Sequence, residues 1–289
     1  MSVKIVSDST SYIDASVQRE LDITIIPLSV SFPDESFKET EVDYDYFYKK
    51  IEREGIIPSS SQPAQGEIQE IFTNIVARGD EVLAIFLSSD MSGTYHSALV
   101  AKDMIMQEYP GARIEVIDSR TNCLAMGLTV MDAAQAALEG KSMEEIIELA
   151  RQTMKRVKFY FVPAGLEYLK KGGRIGGAAA LLGSILKLKP ILFVENGKTA
   201  LLERARGSRA AIERLLNLLE NDFKAFGLRN VMVHHISCPD KAAELAQTIH
   251  VRYGMEVAVL PIGPVIGLHV GPGTLSIIYC TEKYQEIKK

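Results

Sequence analysis

Three segments that lie far apart in the chain combine hydroxyl groups and glycines with almost no charge. They span residues 58–63 (Pro-Ser-Ser-Ser-Gln-Pro), 87–95 (Leu-Ser-Ser-Asp-Met-Ser-Gly-Thr-Tyr) and 266–273 (Ile-Gly-Leu-His-Val-Gly-Pro-Gly). Hydroxyls, glycine amides and one histidine are groups that hold a small anion such as a carboxylate or a phosphate. No pair of acids, metal-binding cluster or activated nucleophile accompanies them in the sequence. The pattern therefore predicts binding of an anionic headgroup.

The first segment, with three consecutive serines at 59–61, could place two hydroxyls and a loop amide on one oxyanion. Pro63 has no N–H to donate and biases the residue before it away from helical backbone, which predicts a loop held open ahead of the next helix. A serine-rich turn that caps this helix has the same composition, so capping is the structural alternative.

The other two segments contain a predicted helix start and a histidine. Ser92 and Gly93 lie between a buried strand and a helix, whose first amides attract anions; ordinary capping by Ser92 is the alternative. His269 stands in a run of three glycines and a proline, which predicts an irregular backbone around one titratable side chain. The alternative for His269 is a hydrogen-bonded structural role.

Composition is that of a globular protein without a nucleic-acid partner. The chain has 289 residues, enough for two domains, and 47% of them are hydrophobic. A net charge of -5 and the lack of a long basic run give no reason to expect nucleic acid. The first residues predict a strand rather than a signal peptide, and no apolar run is long enough to span a bilayer, so we expect no stable membrane insertion.

The cysteines indicate the redox setting. Cys123, Cys238 and Cys280 are odd in number and widely spaced, which predicts neither a disulfide framework nor a zinc site. We therefore expect a cytoplasmic protein without a metal.

Strand-like runs alternate with helical patterns in the first half of the chain. The predicted strands are Val3–Ser7, Thr24–Val30, Val82–Leu87 and Ile114–Ile117. The alternation predicts an α/β fold with a parallel sheet covered on both faces. Because ligands gather beyond the carboxyl ends of such strands, we expect the polar segments 8–10, 88–94 and 118–119 to converge on one edge.

The second half predicts a smaller domain with a mixed sheet. Asn196-Gly197 between two strand-like runs indicates a hairpin, and the basic, glycine-rich segment 170–177 leads into an apolar run, 178–188, that predicts a buried helix. The boundary is placed after the helix pattern Met143–Arg156. The predicted organisation is an N-terminal α/β domain, 1–157, and a C-terminal mixed-sheet α/β domain, 158–289.

These segments together resemble the DegV family, bacterial fatty-acid-binding proteins that serve a fatty acid kinase. The resemblance covers essentially the whole chain. It is carried, in family order, by residues 6–10 (Val-Ser-Asp-Ser-Thr), 60–64 (Ser-Ser-Gln-Pro-Ala), 87–89 with 92–95, 116–119, 172–175 and 267–273.

The resemblance implies a two-domain α/β protein that holds one long-chain fatty acid, with its carboxylate near the domain junction and its tail inside. Carried onto matching positions, Ser60 and Ser61 would contact the carboxylate. Ser92, Gly93 and His269 would complete the head site.

The resemblance also implies a protein partner. Arg206 matches an arginine that would engage the kinase, which would supply ATP and metal, so that the carrier needs no cofactor beyond its bound fatty acid. Two positions depart from the family pattern: Ala64 replaces a serine and is left out of the site, and Leu268 stands where a smaller residue is common.

Two functions from different classes are considered, the first of them implied by the resemblance. The leading one is a non-catalytic carrier in bacterial phospholipid metabolism that presents a fatty acid to a separate kinase. The alternative is a serine esterase or acyltransferase that uses Ser61 or Ser92 with His269. Against the alternative, the sequence has no Gly-x-Ser-x-Gly elbow and no evident acid to orient His269.

Overall fold

The computed structural model describes residues 2–181 and 188–284. The chain divides into two compact units: residues 1–42 with 58–154, and residues 43–57 with 155–289. The segment 43–57 therefore groups with the second unit although it interrupts the first in sequence. The predicted domains, 1–157 and 158–289, place the segment 43–57 in the first domain, and these boundaries stay a prediction.

The first unit is built around a four-stranded parallel sheet, in the order β2-β1-β6-β7. With elements numbered in chain order, its strands are β1 (Val3–Asp8), β2 (Ile23–Ile26), β3 (Ser29–Ser31), β4 (Ser36–Lys38), β5 (Ser59–Ser61), β6 (Glu81–Phe86) and β7 (Ile114–Asp118). Its helices are α1 (Ala15–Glu20), α3 (Gln65–Val76), α4 (Thr94–Glu108), α5 (Cys123–Leu138) and α6 (Met143–Arg156). The predicted strand–helix alternation and the parallel sheet are confirmed.

Apolar side chains hold this sheet to its helices. Val6 of β1 and Phe86 of β6 are fully buried in one cluster with Phe72 of α3 and Ile105 of α4. Strands of a parallel sheet are covered on both faces, and β6 shows this most clearly, because its five residues from Val82 to Phe86 are apolar and buried.

One predicted strand, Thr24–Val30, is two strands in the structure. Pro27 follows β2 and cannot donate a ladder hydrogen bond, so β2 ends there. β3 then joins a small antiparallel sheet with the order β4-β3-β5. The predicted serine-rich loop is thus wrong in part, because Ser59–Ser61 is β5, an edge strand of this sheet.

The second unit is built around a six-stranded mixed sheet, in the order β10-β9-β8-β13-β11-β12. Its strands are β8 (Val157–Val162), β9 (Leu188–Glu195), β10 (Lys198–Arg206), β11 (Leu228–His235), β12 (Val257–Pro261) and β13 (Leu275–Thr281). Its helices are α2 (Tyr44–Glu54), α7 (Glu167–Lys171), α8 (Ser208–Phe226), α9 (Pro239–Tyr253) and α10 (Pro264–Val270). Within the described part of the chain, no helix combines the length and the apolar composition needed to cross a bilayer.

The predicted hairpin and mixed sheet are confirmed. β9 and β10 pair antiparallel around Asn196 and Gly197, whose φ angles of 51° and 81° fit the two-residue turn that these residue types favour. β11 and β12 pair parallel, whereas β13 is antiparallel to both β11 and β8.

The two faces of the mixed sheet carry different side chains. Val162 of β8 packs in one buried cluster with residues of α8 and α9, such as Leu215 and Leu245. Phe159 and Phe161 alternate with Val162 along β8, so they point to the opposite face, where their ring centroids lie 5.4 Å apart.

The apolar run 178–188 does not form the predicted helix in its described part. Residues Gly176–Leu181 form a 3₁₀ helix, with Ala178 buried but Ala179 and Ala180 exposed. Residues 182–187 of the predicted helix lie outside the described residues.

Tyr48 fastens α2 to the start of α10. Its Oη donates to the carbonyl oxygen of Ile262 at 2.8 Å, and the carbonyl oxygen of Gly263 lies 3.1 Å from the same atom. The ring is buried and its Oη lies against Gly267, where a Cβ would collide. A residue from the segment 43–57 therefore fixes the first turn of α10.

Replacing Tyr48 by Phe should lower the free energy of unfolding by about 1–3 kcal/mol, because two buried carbonyl groups lose their donor while the ring is kept. Urea unfolding measures the change. Tyr46→Phe is the matched control, since Tyr46 is on the same helix and 44% exposed. Equal stability of the two variants would contradict the role assigned to Tyr48.

Candidate functional site

The carboxyl ends of β1, β6 and β7 meet at one edge of the parallel sheet. The Asp8 carboxylate accepts a hydrogen bond from the Leu87 amide at 2.9 Å, which joins β1 to the end of β6. Asp118, at the end of β7, accepts from the Ser89 amide at 3.2 Å and from the Ser89 hydroxyl at 2.5 Å. The predicted convergence of three polar segments on this edge is confirmed.

The polar groups at this edge satisfy one another. Arg120 donates to Asp118 at 3.1 Å and pairs with Asp90 at 2.6 Å. Burial raises the pKa of Asp8 to about 6, although hydrogen bonds from Thr10 and Leu87 act in the opposite direction. An anionic ligand here would meet carboxylates. We therefore assign Asp8 and Asp118 to holding the loop between β6 and α4.

Gln62 brings the first two hydroxyl-rich segments together. Its Nε2 donates to Ser97 Oγ on the first turn of α4 at 2.6 Å, and Gln65 Nε2 donates to the Ser97 carbonyl oxygen at 3.0 Å. The Gln62 amide also packs on Gly93, where a Cβ would collide with its Oε1. A larger residue at position 93 would therefore displace the Gln62 amide from its present contacts.

Ser60 and Ser61 lie side by side on β5, where neighbouring side chains point to opposite faces. Ser60 pairs with Val30 and is partly buried, whereas Ser61 pairs with Ser29 and is exposed. Contact of both hydroxyls with one oxyanion therefore stays a prediction, and the alternation of the strand separates them. As an edge strand, β5 also presents backbone groups on its outer side.

Ser92 caps the start of α4. Its Oγ accepts from the Thr94 amide at 3.3 Å and lies 2.9 Å from Thr94 Oγ1. The structural alternative for Ser92 is thus confirmed. Gly93 is the N-cap residue of α4 and has no side chain of its own to cap the helix, while the first amide, that of Thr94, is bound by Ser92 Oγ. Contact of Ser92 and Gly93 with a ligand stays a prediction.

His269 lies in α10, so the predicted irregular backbone around it is wrong. Gly267 is part of the helix, and Gly271, with a φ of 83°, follows its last residue. A helix that ends in a glycine of positive φ has the same local composition as an irregular loop. The composition around His269 therefore did not indicate a helix.

The His269 ring is seated on the segment that follows α7. Its Nδ1 lies against Gly172, where a Cβ would collide, and Arg174 Nη1 donates to the Gly172 carbonyl oxygen at 2.6 Å. Burial, and then the positive charge of Arg174, lower the pKa of His269 to about 4. A neutral imidazole and a guanidinium therefore stand together at neutral pH. The pair can attract an anion by charge and donate a hydrogen bond to it.

Sequence reasoning predicted some of these residues and missed others. Arg206, the last residue of β10, is exposed as predicted. Gln62 was part of a motif but had no role, and Tyr48 was missed because α2 precedes α10 by more than two hundred residues. The basic, glycine-rich composition around Arg174 was the available signal for that residue.

Two further observations concern a catalytic serine and a metal site. Ser92 Oγ lies 2.9 Å from Thr94 Oγ1, within the first unit. No group of three or more His, Cys, Asp or Glu side chains among residues 2–181 and 188–284 is placed to hold a metal ion.

Comparison with known proteins gives one family over the whole length. A family model described as "Uncharacterised protein, DegV family" matches residues 2–282. A DegV domain-containing protein of Clostridium acetobutylicum is 47% identical over 98% of this chain and 99% of its own length. The chain therefore belongs to the DegV family.

Solved structures of relatives have the same two-unit fold. DegV of Bacillus subtilis, described as a fatty acid binding protein, is 34% identical with a TM-score of 0.87, over 97% of this chain and 99% of its own. A stearic-acid-binding protein of Eubacterium ventriosum is 26% identical with a TM-score of 0.87, over 97% of this chain and 98% of its own.

The contact between Gln62 and Gly93 predicts a coupled pair of substitutions. Gly93→Ala should cost about 1–2 kcal/mol, because its Cβ displaces the Gln62 amide from Ser97 and Ala is a poorer N-cap than Gly. In a Gln62→Ala background the same substitution should cost about 1 kcal/mol less. Urea unfolding of the four proteins completes the cycle, and equal costs in both backgrounds would refute the contact.

The lowered pKa of His269 predicts how stability changes with pH. In the folded state the pKa of His269 is about 4, below its ordinary value of 6.5. Between pH 4 and pH 6.5 the folded state therefore binds fewer protons at this ring than the unfolded state does. The free energy of unfolding is therefore highest above pH 6.5 and decreases as the pH falls toward 4.

Relative to His269→Asn, the wild type without ligand should lose up to ~1.4 kcal/mol per pH unit on acidification through this window. Urea unfolding of both proteins at several pH values measures the difference. A difference that does not vary with pH would show that the ring is not held neutral by the fold.

Proposed function

We propose that this protein binds one long-chain fatty acid without covalent attachment and holds its carboxylate beside His269 and Arg174. The observation that carries the proposal is similarity over nearly the whole chain to two solved DegV proteins described as fatty acid or stearic acid binders. The neutral ring and the guanidinium supply, in the second unit, the donors that a carboxylate requires.

Family motifs extend the proposed head site to the first unit. Ser60, Ser61, Ser92 and Gly93 match the family pattern, and Gln62 holds β5 beside the start of α4. In this proposal Ser60, Ser61 and the amides of α4 that follow Thr94 contribute neutral donors. Neutral donors can bind either a carboxylate or an acyl phosphate, because none of them is a charged group that favours the geometry of one anion.

For the tail we propose the sheet face that carries Phe159 and Phe161. It lies opposite the face packed by α8 and α9, and its apolar side chains suit an alkyl chain. Burying ~15 methylenes stabilises the complex by at most ~12 kcal/mol at about 0.8 kcal/mol each, before the costs of ordering the ligand. A carboxylate buried without donors would cancel much of this gain, which is why head and tail must be bound together.

The proposed role is that of a carrier which presents the carboxylate to a separate fatty acid kinase. Arg206 is exposed at the end of β10, where a partner can reach it. An exposed arginine that meets an acidic surface acts mainly on association and is sensitive to salt. Against the esterase alternative, the sequence has no Gly-x-Ser-x-Gly elbow, and Ser92 Oγ lies 2.9 Å from Thr94 Oγ1 at the start of α4.

The protein purified without added lipid should release about one long-chain fatty acid per chain on denaturation, because burial of the alkyl chain keeps the ligand bound through purification. Mass spectrometry of the extract measures the ratio. His269→Ala should lower it, while the exposed His250→Ala should leave it unchanged. No fatty acid in the extract, and none bound when stearate is added, would refute the proposal.

Arg206→Ala should separate lipid binding from delivery. We expect unchanged fatty acid occupancy and an apparent KM of the carrier at least about threefold higher in an assay with a purified bacterial fatty acid kinase. Lys198→Ala, an exposed position at the other end of β10, is the control. Loss of lipid with an unchanged KM would instead place Arg206 in the head site.

A further inference from the structure

A cavity of about 710 Å³ opens between α8 and α9 at one end of the mixed sheet. The strand register explains its place. The last residue of β10 pairs with the first residue of β9. The last residues of β8 and β11 both pair with Leu275, the first residue of β13. α8 follows β10 and α9 follows β11, so both helices start at this end of the sheet.

The first turns of the two helices form the walls of this cavity. Ser208, Ile212 and Leu216 recur at four-residue spacing along α8, and Lys241, Leu245 and Thr248 recur at spacings of four and three along α9. Such spacing places each set on one side of its helix. The floor is apolar and comes mainly from the strand ends, including Val162, Pro163, Ala164 and Leu275. We call this cavity the α8–α9 groove.

The wall residues give the α8–α9 groove an excess of positive charge. Lys189, Arg209 and Lys241 line it, against two carboxylates, Glu213 and Glu244. Glu213 pairs with Arg252, which is not a lining residue, at 3.5 Å. Arg209 and Lys241 make no hydrogen bond or ion pair with any residue in 2–181 or 188–284.

The backbone at the helix starts adds to this charge. Neither Gly207 at the start of α8 nor Cys238 at the start of α9 supplies a side-chain cap. Free first-turn amides of both helices therefore add positive potential at the end of the groove where Arg209 and Lys241 lie.

We propose that the α8–α9 groove is a second ligand site, for a small organic anion whose charged group is attached to an apolar body. The volume lies within the ~300–1,000 Å³ typical of small-molecule sites. The anionic group lies between Arg209 and Lys241, and the body lies on Val162, Leu216 and Leu245. This face of the sheet is opposite Phe159 and Phe161, so the site differs from the one proposed for the fatty acid tail.

The probe for this site is 8-anilinonaphthalene-1-sulfonate, titrated into full-length protein already saturated with stearate. Methyl NMR should show shifts at Ile212, Leu216 and Leu245, with none at Leu138, an exposed leucine of the first unit. Inorganic phosphate should bind far more weakly, because it has no apolar body. If the chain takes up no stearate, the proposed function fails, while the methyl shifts still test the groove.

A charge-reversal pair tests the cations. Arg209→Glu with Lys241→Glu should raise the Kd of the probe about tenfold or more at low ionic strength. Lys198→Glu with Arg204→Glu changes the net charge equally outside the groove and should leave the Kd within about twofold. Thr248→Trp should block the groove without a change of charge, since Trp and Thr have similar helix propensity.

Three results would overturn the proposal: probe binding without shifts at the groove methyls, an equal Kd in the two charge-reversal variants, or phosphate binding as tightly as the probe.

Discussion

A carboxylate that leaves water must find hydrogen-bond donors in the protein, and the proposed head site around His269 and Arg174 meets this constraint. Burial and Arg174 keep the ring neutral at physiological pH, so it acts as a hydrogen-bonding group while the guanidinium carries the charge. Gly172 lets the ring lie directly on the chain that leads to Arg174. Tyr48 holds the helix that carries His269, through the carbonyl groups at its first turn.

The same constraint separates two polar regions that are similar in sequence. At the edge of the parallel sheet, Asp8 and Asp118 take up the available N–H and hydroxyl donors, so serines there stabilise the loop after β6. At the start of α4 the contacts come from neutral side chains, since Ser92 accepts from the Thr94 amide and Gln62 donates to Ser97. Hydroxyl-rich composition alone does not distinguish these two cases; the position of the carboxylates does.

Much of the fold follows from local patterns in the sequence. Continuous apolar runs with flanking helices predicted the parallel sheet, and Asn196-Gly197 predicted the hairpin, because both signals depend on residues close in the chain. β5 was missed because three serines carry no periodicity, and its partner β3 is set by tertiary pairing. The grouping of segment 43–57 with the second unit was missed for the same reason: Tyr48 and Gly263 are far apart in sequence.

The candidate site was predicted in its residue types but not in its contacts. The Gln62 amide packs on Gly93, and the approach of Gln62 depends on the path of β5. His269 was singled out for its glycine neighbours, although these belong to a helix, and its lowered pKa depends on burial and on Arg174, which a sequence does not show.

The most direct test of the central claim is the titration of [1-¹³C]stearate bound to the protein, followed by carboxyl ¹³C NMR. If the carboxylate lies beside Arg174 and His269, its signal should keep the ionised position well below the ordinary carboxyl pKa of about 4.3, and Arg174→Gln should raise the bound pKa by about one unit. Identical titration in the wild type and in Arg174→Gln would place the carboxylate elsewhere and contradict the account.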